Sequence, residues 1–342
     1  MNSIVNTRDA CSFDHKNGDQ PLDVKCNSSC VDRSFGEDKP DDGYDVPVAF
    51  IIFNRPDVTR RTFEAIAAVR PRNLFLIADG PRRDRPGEAE KVAQTRAIVQ
   101  AIKWNCEVRV NFSDANLGCK LRVSSGISWV FECTDRAVIL EDDCVPTKAF
   151  FNYCKDLLSL YRDDKKIMSI SGTCFDKDNE PAHYFSNYAL MWGWATWADR
   201  WALYDGSARD YKSVIFKKWW KRPICYLYWK KIMRNVVSGK VDTWDYQWII
   251  SIWRNKGFVC RPTVNLVKNI GFNDSATHTT NQNSSMADMK VSNNVDCSKK
   301  IGGREIDKMR DTRDEIVWAS INIRSLVYLY FPWINHLKRK KR

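Results

Sequence analysis

Three consecutive carboxylates, Glu141, Asp142 and Asp143, follow an apolar run directly in Val138–Pro146, VILEDDCVP. Acids gathered at the end of a buried strand repel one another, and a divalent cation that also ligates a diphosphate relieves the repulsion. Hard oxygen ligands suit Mg2+ or Mn2+. Such a cation neutralises charge growing on a departing nucleoside diphosphate. The competing reading is a solvated acidic turn. Two other spots offer related chemistry. Asp79-Gly80-Pro81 closes a second apolar run, where Asp79 would accept hydrogen bonds from a base or ribose, unless this is a plain Asp-Gly turn. Asn116-Leu117-Gly118-Cys119-Lys120 opens a helical stretch with Arg122 just beyond. There Gly118 permits close backbone approach, the helix N-terminus favours anions, and Lys120 or Arg122 would meet a phosphate. The alternative is an ordinary loop-to-helix junction.

These groups depend on the elements that carry them. Val46–Phe53, Leu74–Ala78 and Ala137–Leu140 have the apolar character of buried strands, and Cys106–Phe112 and Lys166–Ser171 also read as strands. Helical stretches separate them at Thr59–Val69, Glu88–Ile102, Leu121–Cys133 and Ala149–Tyr161. Strands alternating with helices predict an α/β fold, a mostly parallel sheet flanked by helices, with ligands at the carboxyl ends of the strands. Residues 182–275 are aromatic-rich and predict short helices and turns forming the acceptor side of a cleft.

The order of these motifs resembles the GT-A glycosyltransferases, in particular the N-acetylglucosaminyltransferase I type, over roughly Val46 to Thr280. Asn116–Cys119, Glu141–Asp143 and the Pro146–Phe151 segment follow one another as in that type. The resemblance implies a Rossmann-like nucleotide-diphospho-sugar transferase. Phe53-Asn54-Arg55-Pro56 would be the loop touching the nucleotide. It implies that Asp143 binds Mn2+ or Mg2+, while Glu141 and Asp142 contact ribose or donor sugar. Trp192-Gly193-Trp194 would line the donor-sugar pocket. Gly271-Phe272 to Thr277-His278 would be a closing loop, with His278 completing the metal shell. Trp244-Asp245 would supply the base, Asp245, for attack opposite the leaving diphosphate, inverting the anomeric carbon. The family often has two adjacent carboxylates there. Tyr246 follows Asp245 here, so Asp242 or another group must serve if the second acid is the base. The competing reading of Trp244–Trp253 is an amphipathic helix with Trp248, Ile249 and Ile252 inward.

The resemblance sets the expected partners: a nucleotide-diphosphate sugar donor, a UDP-sugar favoured, and a glycan, lipid-linked or protein-linked acceptor. The expected organisation is an N-terminal extension over 1–45, a transferase domain over 46–280 split into nucleotide-sugar (46–175) and acceptor (176–280) halves, and a C-terminal extension over 281–342.

Composition agrees with an anionic partner without selecting one. The net charge is +12, and residues 1–45 hold five basic against ten acidic side chains, which leaves +17 on residues 46–342. Fourteen tryptophans suit either a core or the apolar faces of sugars. Of the twelve cysteines, Cys133, Cys144, Cys154 and Cys260 sit in apolar runs, and no paired C-x-x-C elements occur at zinc spacing. Reduced thiols in a reducing compartment are therefore expected. With no basic-then-apolar leader and no long apolar stretch, a cytoplasmic protein is expected. The apolar Ser325–Leu337 and the closing Lys338-Arg339-Lys340-Lys341-Arg342 would rest on the inner face of an anionic membrane, or form a core helix with a frayed tail. A nucleic-acid-binding protein is the alternative function, motivated by charge and by Lys217–Lys231. The acid triplet would repel phosphates, so no nucleic acid is expected, and Lys217–Lys231 becomes an acceptor- or membrane-facing surface. A sugar-nucleotide pyrophosphorylase would need a Gly-rich basic loop after the first strand, whereas Asn54-Arg55-Pro56-Asp57 has no glycine.

Overall fold

The computed structural model describes residues 27–33, 43–175, 182–272, 286, 289–296, 301, 303 and 305–330, with backbone only for 27–33 and Tyr328. The first half of the sheet comes from β1 (Asn27–Arg33), β2 (Val48–Ile52), β3 (Asn73–Ala78), β4 (Cys106–Phe112) and β5 (Arg136–Glu141). Helices α1 (Pro56–Ala67), α2 (Glu88–Gln100) and α3 (Gly118–Cys133) connect β2 through β5 in turn. A short strand β6 (Cys144–Pro146), helix α4 (Lys148–Leu160) and β7 (Ile167–Ser171) follow. The aromatic-rich stretch then adds β8 (His183–Ser186), β9 (Trp194–Trp197), α5 (Ala198–Trp201), α6 (Tyr211–Trp219), α7 (Pro223–Val237), α8 (Asp245–Arg254), β10 (Phe258–Pro262) and β11 (Val267–Asn269). Helices α9 (Lys308–Val317) and α10 (Ile323–Tyr330) end the described chain.

The nine strands lie in the order β1-β4-β3-β2-β5-β9-β7-β10-β8. Pairings make β2, β3, β4, β5, β7 and β10 run one way and β1, β8 and β9 the other. The sheet is thus mostly parallel and Rossmann-like, as the sequence predicts. Burial explains the unbroken apolar runs, because both faces are covered. Val48, Phe50 and Ile52 join Phe63 and Ile66 of α1 in one core, while Ala49 and Ile51 join Val123 and Ile127 of α3 in the other. The same alternation holds in β3, with Leu74 and Leu76 on one side and Phe75 and Ile77 on the other.

Two features depart from expectation. The aromatic-rich stretch contributes four strands, three of them in the main sheet, so it completes that sheet as well as walling the cleft. Within the segment read as an extension, β1 pairs antiparallel with β4 over its full length. Among the described residues, no helix is long and apolar enough to cross a membrane, and no disulfide forms. Cys144, Cys154 and Cys260 are buried, but Cys133 is exposed.

Candidate active site

Strand order reverses between β2 and β5: the chain builds outward through β3 and β4, then α3 carries it back to pair β5 with β2. Crossovers leave such a switch point on opposite faces and open a crevice at the strand ends. A cleft of about 640 Å³ sits there, within the usual range for ligand pockets. Its walls come from the end of β2, Asp79 after β3, the start of α3, Glu141–Asp143 after β5, Met191-Trp192, and Val241–Tyr246 leading into α8.

The electrostatics of this cleft oppose those of the whole chain. Asp79, Glu141, Asp142, Asp143, Asp242 and Asp245 line it, against the three arginines Arg55, Arg82 and Arg122. Two of those arginines are engaged elsewhere. Arg82 pairs with Glu88 and lies over the Phe53 ring, and Arg122 donates to the Asn111 carbonyl and Oδ1 at 2.7 and 2.8 Å. Arg55, at the N-cap of α1, reaches the acid triplet. Its Nη2 bridges Asp142 and Asp143, with 3.0 Å to Asp143 Oδ2. Thr62 of α1 donates to the Asp142 carbonyl at 2.7 Å, which fastens the acid turn to the helix beside it.

The Glu141 carboxylate forms no hydrogen bond or ion pair among the described residues. Burial, then the nearby Asp143, Asp142 and Asp245 carboxylates, push its pKa up to about 8. Burial and the neighbouring Glu141, Asp245, Asp242 and Asp79 likewise hold the Cys119 thiol far above its ordinary range, so it is no thiolate nucleophile. Asp143 keeps 16% of its side chain exposed. A Cβ on Gly271 would stand 2.1 Å from its Oδ2, so any side chain there would push the Asp143 carboxylate aside. Strand β11 pairs with β6 and sets this contact, and the Ile270 N–H donates to the Asp143 carbonyl at 2.8 Å.

The expected residues divide by what they meet. Phe53, Asn54 and Arg55 line the cleft, and Asn54 donates to Glu88 at 2.9 Å, so the loop after β2 is tied to the start of α2. Asp79 also lines it, but its carboxylate accepts the N–H groups of Gly80, Leu117 and Gly118 and the Asn116 amide, at 2.9–3.1 Å. Asp242 accepts the Cys119 and Lys120 N–H groups at 2.8 and 3.1 Å. The start of α3, expected to receive a phosphate, is therefore capped by two of the protein's own acids. Gly118, with φ +78, is there because the helix begins left-handed and its Cα faces Asp242. Lys120 is not among the lining residues, and Arg122 is a buried strut in the floor.

Trp192 lines the cleft and meets Phe272 edge-on at 5.7 Å. Gly193 instead packs on Val267 and Phe150 with φ +67. Trp194, expected in the sugar pocket, is wholly buried and stacks against Trp244 at 5.5 Å, supporting the wall from behind. Trp192 precedes β9, and Gly193, with φ +67, breaks the extended backbone between the two, so their rings meet different environments. Asp245 opens α8, where its Oδ1 accepts from Thr243 Oγ1 and from the Tyr246 N–H at 2.8 Å. Trp248, Ile249 and Ile252 of that helix are buried, so the amphipathic helix and a cleft-lining Asp245 coexist. His278 lies outside the described residues. Sequence reasoning missed Glu88 and Gly271. Glu88 carried no motif, and Gly271 was seen only as part of a closing loop.

No family model matches the chain. No curated protein matches it. Among solved structures, it is similar to a UDP-glucose pyrophosphorylase complexed with UDP-glucose, at 8% identity and a TM-score of 0.22. That match covers 42% of this chain and 64% of the pyrophosphorylase chain, and a superposition this loose bears on nothing further.

Proposed function

We propose that this chain is a metal-dependent glycosyltransferase that moves a sugar from a nucleoside-diphosphate donor, a UDP-sugar favoured, to an acceptor hydroxyl with inversion. One observation carries the reading: six carboxylates face three arginines in a cleft at the switch point, and two of the arginines are already engaged. An anionic donor enters such a cleft only with a cation. Among the described residues no three His, Cys, Asp or Glu side chains form a closed metal cage. Mg2+ and Mn2+ commonly bind through one or two carboxylates plus substrate phosphates, so the ion would arrive with the donor. Asp143, with Glu141 beside it, would hold the ion, while Asp142 stays locked by Arg55. The ion would supply neutralisation of the departing diphosphate.

The remaining work belongs to side chains. Arg55 orients the acid turn, and Phe53, Asn54 and Asp79 border the space for base and ribose. Trp192 offers a flat face to the donor sugar. Asp245 takes the acceptor proton, held by Thr243 and the α8 N-terminus. Asp242 is the less available candidate for the base, since the α3 N–H groups already occupy both its oxygens. The acceptor is a glycan, lipid-linked or protein-linked hydroxyl.

The test is incubation with UDP-, GDP- and TDP-sugars with and without Mn2+. Metal-dependent release of nucleoside diphosphate supports the reading. Formation of nucleoside triphosphate when pyrophosphate is added would identify a pyrophosphorylase instead, and indifference to every donor and to Mn2+ ends the proposal.

A further inference from the structure

No acidic residue occurs between Asp210 and Asp242. Over Tyr211–Val237, which spans α6 and α7, the chain carries six lysines and two arginines. Globular surfaces ordinarily mix both signs. The same helices also expose large apolar groups. Trp219, Cys225, Trp229 and Met233 fill the core, yet Phe216 and Trp220 are 56% and 59% exposed, and Ile224 and Leu227 are exposed too. Val327 and Tyr330 of α10 extend the patch.

Contacts join these residues into one surface. The Phe216 ring meets Tyr226 at 6.1 Å, and Lys230 lies over Tyr226 at 5.3 Å. Lys221 lies over Trp220 at 5.0 Å and Lys231 over Tyr330 at 5.3 Å. The Tyr330 hydroxyl donates to the Leu227 carbonyl at 3.0 Å, fixing α10 against α7. At one edge, Lys212, Lys230 and Arg234 surround a concavity of about 430 Å³ together with Tyr211, Val237 and Ser238. Among the described residues no acid pairs with these three cations.

We propose that this face of α6, α7 and α10 docks on an anionic lipid bilayer. Phe216, Trp220, Ile224 and Leu227 enter the boundary between headgroups and acyl chains, and Lys212, Lys230 and Arg234 meet lipid phosphates. Amphipathic surfaces bind this way, by apolar burial plus attraction to anionic lipid, with lysine stems lying along the apolar area. Branched aliphatic groups such as Ile224 and Val327 partition into a bilayer boundary but offer nothing to a base or sugar phosphate, which favours lipid over nucleic acid. Tyr330 lies on this face, and the sequence beyond it holds five consecutive cations, Lys338 to Arg342.

The inference needs no sugar donor, so its test is separate from that of the cleft. The full chain is sedimented with vesicles of phosphatidylcholine alone or mixed with phosphatidylglycerol, at low and raised salt. The expected result is binding to the anionic vesicles only, weakened by salt. Each cation removed should cost about fivefold, so the triple variant K212A/K230A/R234A loses on the order of a hundredfold. F216S/W220S should lose about tenfold through the apolar contribution. Far-UV circular dichroism unchanged in both variants shows that the losses are local. Equal binding to neutral vesicles overturns the proposal, as does undiminished binding by the triple variant. So does loss of all binding when only Lys338–Arg342 are changed to Gln. Capture of a single-stranded oligonucleotide without capture of anionic vesicles would assign the face to nucleic acid.

Discussion

Two places in this molecule bring three carboxylates into its interior, and they treat them oppositely. On α9, Asp311, Asp314 and Glu315 are each 3% exposed and each fully answered. Asp311 accepts from Ser186 and from the Asn187 side chain at 2.5 and 2.7 Å. Asp314 pairs with the wholly buried Arg261, and Glu315 takes Arg222 and the Tyr188 hydroxyl, the latter at 2.6 Å. At the cleft, Arg55 is the one cation that answers Asp142 and Asp143 among the described residues, helped by the Phe53 N–H at Asp142 and the weak Cys144 thiol donor at Asp143, and the Glu141 carboxylate has no partner among the described residues. Withdrawing a carboxylate from water costs several kcal/mol unless donors replace the water. The α9 acids meet that condition inside the protein and fasten the C-terminal helix to β8 and α7. The cleft acids meet it only in part, and the excess negative charge is what a cation and a diphosphate would complete. Buried acids of the first kind hold elements together, and those of the second kind are where the proposed chemistry would act.

The contrast breaks if exchanging the two clusters' variants gives like results. Asp143→Ala should lower Mn2+-dependent donor hydrolysis on the order of a thousandfold while leaving the thermal midpoint nearly unchanged. Asp314→Ala should do the reverse. Stranding Arg261 without its partner costs about 3–5 kcal/mol, seen as a fall of several degrees in thermal unfolding, with activity per folded molecule retained. A large stability loss from the first variant would make Glu141–Asp143 a structural cluster after all.

Asp245→Asn sharpens the division within the cleft. Transfer to acceptor should drop about a hundredfold while donor binding, measured by titration, stays within a few-fold. Full transfer by this variant would move the base elsewhere.

On the structural side, His183 of β8 meets the Tyr161 hydroxyl at 2.8 Å, and burial pushes its pKa down to about 4. The folded chain therefore binds this proton less readily than the unfolded chain, whose histidine titrates near 6.5. The contribution is intact above about pH 6.5 and declines as pH falls toward 4, reaching at most ~2 kcal/mol by pH 5. Denaturant midpoints at pH 7 and pH 5 should differ less in His183→Gln than in the parent. An unchanged difference would place the acid sensitivity elsewhere.

The smallest effect is expected at Asp242, which caps α3 from a distant loop. Asp242→Ala should cost about 1 kcal/mol of unfolding free energy, as cap losses do, read from denaturant titration, with donor hydrolysis within a few-fold of the parent. A collapse in hydrolysis comparable to that of Asp143→Ala would make Asp242 part of the chemistry.

Much of the frame was legible because its signals are local. Strands covered on both faces must be largely apolar, so β2, β3, β5 and β7 stand out as runs, β4 shows as an alternating strand, and the connecting helices follow at helical spacing. Strands β8, β9 and β11 are only three or four residues long and lie among aromatics that also suit short helices. Their partners β10, β5, β7 and β6 are remote in sequence, so pairing alone defines them. β1 is the extreme case, for NSSCVDR has no strand-like alternation and owes its conformation to the open edge of β4.

The site divides in the same way. By itself the sequence determined that three acids would end a buried strand and that acids and basic groups would gather where strands stop, and it offered a helix over Trp244–Trp253 as the alternative to Asp245 as base. Those are matters of neighbouring residues and periodicity. Only the tertiary structure decided which charges remain unanswered. Asp242 lies more than a hundred residues from the α3 N–H groups it caps, Arg55 nearly ninety from the acids it bridges, and Arg261 about fifty from Asp314. Whether a carboxylate is a strut or a ligand depends on the donors within hydrogen-bond reach, and chain folding, not chain order, sets that distance.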